Sequence, residues 1–211
     1  MGLVYKGLPV DLVKTIASHY GLNFFVETGT FLGDSLADAR KIFTSCYSIE
    51  IAEEYYLKAK ERFGKAEGIH LLLGSSSEKL KEIDYSKTSA ALFWLDAHYS
   101  GGITGGENNC PLLDEIQYIS SLPVDKYIFI DDARFVLSPY QGERYCEIEQ
   151  LFSILPRDNY NVIINDIVIS VPIKAQKDLD DYCLKHTQSD NRRIRSRRLR
   201  KLVKKIVGDL Q

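Results

Sequence analysis

Five short runs of almost wholly apolar residues recur along this chain, each closed by a polar residue and followed by a segment of helical pattern. They are residues 23–26 closed by Glu27, 46–49 by Glu50, 69–73 by Gly74-Ser75, 90–95 by Asp96 and 127–130 by Asp131. Strands apolar on both faces need cover on both faces, and alternation with helices supplies it in a parallel sheet. A sixth and a seventh run, 162–164 and 167–171, flank Asn165-Asp166, a tight-turn signal between adjacent strands. The expected fold is therefore α/β. It is a Rossmann-like, doubly wound, mostly parallel seven-stranded sheet with an antiparallel terminal hairpin and helices on both faces. Leu8, Leu12, Val13, Ile16 and Ala17 stand at helical spacing before Gly21, a natural stop. Further helices are expected over about 34–43, up to Gly64, over 78–83, from Pro111 to about Ser120, and near 144–154.

Three parts are expected: an N-terminal helix packed on the domain (1–21), a cofactor-binding domain (22–175) and a basic amphipathic tail (176–211). The net charge of −2 conceals a split. The last 22 residues hold nine of the 27 basic residues and two of the 29 acidic ones, leaving the body with 18 basic against 27 acidic. An acidic body is a poor surface for phosphate backbones, so no nucleic-acid partner is expected. No run of 18 apolar residues occurs, and the start MGLVYKGLPVDLVK lacks the apolar core of a secretory signal. Cys46, Cys110, Cys146 and Cys183 are scattered with no Cys-x-x-Cys pair, which fits a reducing cytoplasm rather than a disulfide framework.

Ligands of such sheets bind at the carboxyl ends of the strands, where the polar punctuation falls. The segment Glu27-x-Gly29-x-x-x-Gly33 joins the first strand to a helix, so glycines allow close backbone approach and free N–H groups face an anionic end. About 20 residues on, Glu50 ends the second strand, where a carboxylate can accept bonds from both hydroxyls of a ribose. Ser75 and Ser76 follow the third strand and read equally as a helix cap.

Over roughly residues 22–172 the sequence resembles the class I S-adenosylmethionine-dependent methyltransferases. Its loop reads E-x-G-x-x-x-G where a dehydrogenase has G-x-G-x-x-G, and Gly74-Ser75-Ser76 and the terminal hairpin match the family's layout. The resemblance implies S-adenosylmethionine as cofactor. Glu27, Thr28, Gly29, Thr30 and Gly33 would lie along its methionine end, Glu50 at the ribose, and Ser75 or Ser76 at the adenine edge, with Asp96 alongside. The acids after the fourth and fifth strands resemble those of the metal-dependent O-methyltransferases of catechol and macrocin (sugar) type. By that resemblance Asp96, Asp131 and Asp132 would bind Mg²⁺ or Mn²⁺, cations that take oxygen ligands. The other reading of the three acids is as helix caps and cofactor contacts without metal.

Methyl transfer to oxygen needs positioning and a way to remove the hydroxyl proton. His98, two residues past Asp96, is the candidate base, since imidazole titrates near neutral pH. Catechol-type enzymes carry a lysine near that place and this chain has none. His19, His70 and His186 lack such neighbours and read as structural. Residues 99–109, with four glycines, suit a lid whose Thr104, Glu107, Asn108 and Asn109 can meet hydroxyl-rich ligands. Arg134 can contact an anionic substrate or pair with the aspartates beside it. In the tail, Leu199, Leu202, Val203, Ile206, Val207 and Leu210 share one helical face opposite basic residues. Residues 192–210 thus read as contacting a membrane surface or partner protein, with docking on the acidic body or a disordered end as the alternatives. Localisation is expected to be cytoplasmic, or peripheral at the inner face of the membrane, and the oligomeric state is left open. The sequence favours an S-adenosylmethionine-dependent, metal-assisted O-methyltransferase acting on a sugar, saccharide or related small hydroxylated or phosphorylated acceptor. The alternatives are a Rossmann-type oxidoreductase and a catalytically silent scaffold of the same fold within a membrane-associated complex.

Overall fold

The computed structural model describes residues 7–96, 110–138 and 144–188. The chain divides into two units, Met1–Ala175 and Gln176–Gln211. In the first, α1 (Val10–Tyr20) precedes β1 (Phe24–Thr28), α2 (Asp34–Ala39), β2 (Ser45–Glu50), α3 (Glu53–Phe63) and β3 (Ile69–Leu73). Next come α4 (Ser76–Lys79), β4 (Ala90–Leu95), α5 (Leu112–Ser121), β5 (Asp125–Ile130), α6 (Arg134–Leu137), α7 (Ile148–Ile154), β6 (Asn159–Ile164) and β7 (Ile167–Pro172). The seven strands form one sheet in the order β3-β2-β1-β4-β5-β7-β6. The first five pair parallel and β7 runs antiparallel to both β5 and β6. The order reverses between β1 and β4, the switch point at which ligands of open α/β sheets bind.

Central strands carry the apolar load. Phe25, Val26, Leu92, Phe93, Trp94, Ile128 and Phe129 are completely buried. One core runs from Val26, Phe93, Ile128 and Val168 to Ile116 and Ile119 of α5 and Leu151 of α7. Gly21 ends α1 in the left-handed conformation, its N–H donating to the Ala17 carbonyl, as its sequence position requires. Asn165 and Asp166 both take positive φ (54° and 68°), the geometry of a tight hairpin turn between β6 and β7.

Several expectations need correction. Sequence pattern makes 69–73 a buried strand, yet β3 is an edge strand with His70 and Leu73 exposed and the rest half-buried. Helix α2 ends at Ala39, not near 43, because a tighter turn follows in which Ile42 and Phe43 both donate to the Ala39 carbonyl. That turn brings the Phe43 ring to 5.3 Å from Phe25. Helix α6 stands where the sequence suggested only loop. In the second unit residues 176–188 are helical, a segment the sequence reading merged with the basic tail. Among the described residues no helix is long and apolar enough to cross a membrane.

Candidate functional site

Parallel pairing continues past the strand ends and gathers the punctuating residues on one rim. Gly29 donates its N–H to the Ile49 carbonyl, Gly74 to Glu50, Asp96 to Thr28, and Asp131 to Leu95, at 2.9–3.0 Å. Glu27, the loop to Gly33, Glu50, Ser75, Asp96 and Asp131 therefore lie along the carboxyl edge of β3-β2-β1-β4-β5, as the sequence predicts.

Glu27 is completely buried. Its two oxygens accept hydrogen bonds from Ser48 and Ser35, each at 2.6 Å. Ser48 lies opposite it in the β1–β2 register, and Ser35 is in the first turn of α2. Burial pushes the carboxyl from 4.5 up to about 7; the two serines oppose this, and the charges of Asp96 and Glu50 add to it. Among the described residues its hydrogen-bond donors are thus both neutral hydroxyls. Glu50, 6% exposed, accepts from the backbone N–H groups of Phe31 and Ala52, both at 2.8 Å. One carboxylate thus ties the glycine loop to the entrance of α3.

The loop itself is tight. Gly29 and Gly33 have φ of 84° and 75°, and a Cβ on Gly33 would come within 2.6 Å of the Phe63 ring. Phe31 holds a positive φ of 45° although it is not glycine, with its exposed ring 4.7 Å from Tyr55. Thr28 and Thr30 are buried, their hydroxyls engaged with Glu115 (3.5 Å) and Ser48 (2.5 Å). Ser75 stands at the N-cap of α4 without capping it; its hydroxyl meets that of Ser77 at 3.0 Å. Ser76 is buried.

The other half of the rim follows β4 and β5. Asp131 is buried, and its Oδ1 accepts the N–H of Asp132, whose φ is 58°. Arg134 pairs with Asp132 at 2.7 Å and with Asp166 of the hairpin turn. Of the two sequence readings of Arg134, the ion pair is the one present. Although burial opposes its charge, Asp132 and Asp166 together raise its affinity for the proton above the ordinary arginine value. Tyr145 stacks on Phe135 at 4.6 Å. Burial raises its phenol, and Asp132 and Asp96 both act on it, so the ring shares this rim. Sequence reasoning missed Ser35, Ser48 and Tyr145. The first two were within reach, because Ser48 and Glu27 occupy matching positions of adjacent strands.

Asp96, Asp131 and Asp132 all reach the rim, but not as a set of metal ligands. Among the described residues no group of three or more His, Cys, Asp or Glu side chains is placed to hold a metal ion. Asp132 is instead held by a guanidinium. On this geometry the residues present do not fit the Mg²⁺ or Mn²⁺ site that the resemblance implies. His98, the glycine-rich segment 99–109 and the basic segment 192–210 lie outside the described residues.

No family model and no curated protein matches the chain. Solved structures do match. A candidate caffeoyl-CoA O-methyltransferase from Staphylococcus aureus aligns with a TM-score of 0.55 at 12% identity, over 80% of this chain and 85% of its own. The SAH-bound methyltransferase PaMTH1 of Podospora anserina aligns at 0.54 and 13%, over 77% and 76%. A candidate Streptococcus mutans methyltransferase in complex with SAH aligns at 0.53 and 15%, over 78% and 97%. This chain has the Rossmann-like methyltransferase fold, with its antiparallel terminal hairpin.

Proposed function

We propose that the protein is an S-adenosylmethionine-dependent methyltransferase that methylates an oxygen of a sugar, a saccharide or a related small hydroxylated or phosphorylated acceptor. The observation that carries the reading is the pairing of Glu27 and Glu50 across the glycine loop at the switch point of a methyltransferase sheet. Bound S-adenosylmethionine supplies a methyl group on a sulfonium, already activated for in-line displacement. The chain's own residues have the remaining tasks. Glu27 meets the cofactor's ammonium, and its charge develops as that cation arrives. Glu50 retains its backbone donors and offers its other lone pairs to the ribose hydroxyls. Gly29 and Gly33 let the main chain approach the methionine end. On the acceptor side, Asp96 closes β4 and His98 follows it two residues later, the base we assign to collect the hydroxyl proton.

Calorimetry with S-adenosylhomocysteine and with NAD tests the reading. Binding of the first and not the second supports it; the reverse returns the chain to the Rossmann oxidoreductases. Once an acceptor is known, His98→Ala should slow transfer by about 10²–10⁴-fold with S-adenosylhomocysteine affinity unchanged. Near-normal turnover of that variant moves the base elsewhere.

A further inference from the structure

The acidic rim at the end of β5 contains a cation of its own. Arg134 opens α6 two residues after Asp132. Its Nη1 lies 2.7 Å from Asp132 Oδ1, and the same nitrogen donates to Oδ2 of Asp166. The other oxygen of Asp166 accepts the backbone N–H of Arg134 at 2.8 Å, and the Asp166 carbonyl accepts that of Ala133, also at 2.8 Å. The guanidinium lies over the Phe135 ring at 5.0 Å, and that ring is backed by Tyr145. Two carboxylates, a hairpin turn and an aromatic pair therefore fix one guanidinium. An exposed ion pair would have none of these supports, and the planar fork of arginine suits such a fixed role.

A divalent ion ligated by Asp132 would have to share that carboxylate with this guanidinium, and would bring like charge against it. We propose that Arg134 is the resident counter-cation of this rim: it holds Asp132 and the hairpin's Asp166 together and occupies the role a divalent metal would take, so Asp132 is not a metal ligand. The acceptor class narrows accordingly. Chelation demands two neighbouring oxygens on the acceptor; a rim neutralised by arginine accepts a substrate with a single reacting hydroxyl. Arg134 is a positioning residue in this account. The inference rests on the methyltransferase reading only in naming this side of the sheet the acceptor side.

The test is a Mn²⁺ titration followed by electron paramagnetic resonance, with thermal midpoints in EDTA and in Mn²⁺, on the full chain. It uses no cofactor, so this inference and the S-adenosylhomocysteine experiment can fail separately. Wild type and Asp132→Asn should show the same Mn²⁺ affinity, within about twofold. Arg134→Met should melt lower and gain Mn²⁺ affinity by roughly tenfold or more, because two carboxylates are left without their partner. The double variant Asp132→Asn/Arg134→Met should recover part of the lost midpoint, and Arg134→Lys should fall between wild type and Arg134→Met. A purely structural arginine would give neither the gain of Mn²⁺ affinity nor the recovery, and the absence of both overturns the proposal. Mn²⁺ binding by wild type that weakens roughly tenfold in Asp132→Asn overturns it too. That comparison involves no Arg134 variant and decides the matter even if Arg134→Met does not fold.

Discussion

The two halves of the rim satisfy their carboxylates in opposite ways. On the β1–β2 side, the donors that Glu27 and Glu50 meet among the described residues are neutral: the hydroxyls of Ser35 and Ser48 and the N–H groups of Phe31 and Ala52. On the β5–β7 side, Asp132 and Asp166 share a full positive charge from Arg134. Neutral donors leave a buried carboxylate short of stabilisation and so responsive to an incoming cation. A fixed arginine removes that responsiveness. In the proposed reading the first half receives a cation and the second already holds one.

The largest effect that could break this contrast lies at Glu27. Folding raises its carboxyl from 4.5 to about 7, so between those values the folded protein binds a proton that the unfolded chain has released. The protonated state's contribution is complete below about 4.5 and is lost as pH rises through about 7, a difference of about 3 kcal/mol. Glu27→Gln, neutral at every pH, should match wild type near pH 4 and exceed its stability at pH 8 by up to that amount in urea denaturation. It should bind S-adenosylhomocysteine more weakly at pH 8, while wild-type affinity climbs as pH rises through 7. A variant with no pH-dependent stability difference from wild type would mean that Glu27 is not held uncharged.

Next in size is Glu50. Glu50→Gln should weaken S-adenosylhomocysteine by about 2 kcal/mol, the scale of a charge-assisted hydrogen bond, read by calorimetry. The matching change across the rim, Asp132→Asn, should leave that affinity alone. Equal losses at both positions would erase the division between the halves.

The contrast also explains how much could be read in advance. Glu27, Gly33 and Glu50 fall within one strand–loop–helix–strand stretch, so local spacing was enough to bring them together. The clamp draws on Asp132, Arg134, Tyr145 and Asp166, and only the β5–β7 pairing makes neighbours of the first and last. Antiparallel register fixes that meeting, and Ile130↔Val168 sets it. A count of acids after a strand cannot see a second carboxylate brought to their neighbouring arginine by a hairpin 32 residues further on. The same limit made β3 look buried: its composition is apolar, but strand order put it at the edge. Tyr145 escaped notice because no spacing in the sequence links it to Asp132 or Asp96, whose charges act on it.

The smallest expected effect gives the sharpest comparison, because it sets two adjacent residues of one turn against each other. Asn165 and Asp166 both hold positive φ, where glycine is favoured. On backbone grounds alone, glycine at either position should stabilise the hairpin by up to about 1 kcal/mol. Asn165→Gly takes that backbone gain with the Asp166 clamp left in place, so it should be the more stable of the two glycine variants. Asp166→Gly should break that rule. The Asp166 carboxylate accepts the Arg134 N–H at 2.8 Å and binds the guanidinium, so its loss leaves a charge and an amide without that partner. Such a loss costs about 1–3 kcal/mol, which outweighs the conformational gain and leaves the variant about 1–2 kcal/mol less stable. Asp166→Asn, which keeps an oxygen acceptor for the amide but gives up the charge, should lie between the two. Urea denaturation of the three variants orders them. If both glycine variants proved equally stable, Asp166 would be a turn residue and nothing more, and Arg134 would be held by Asp132 alone.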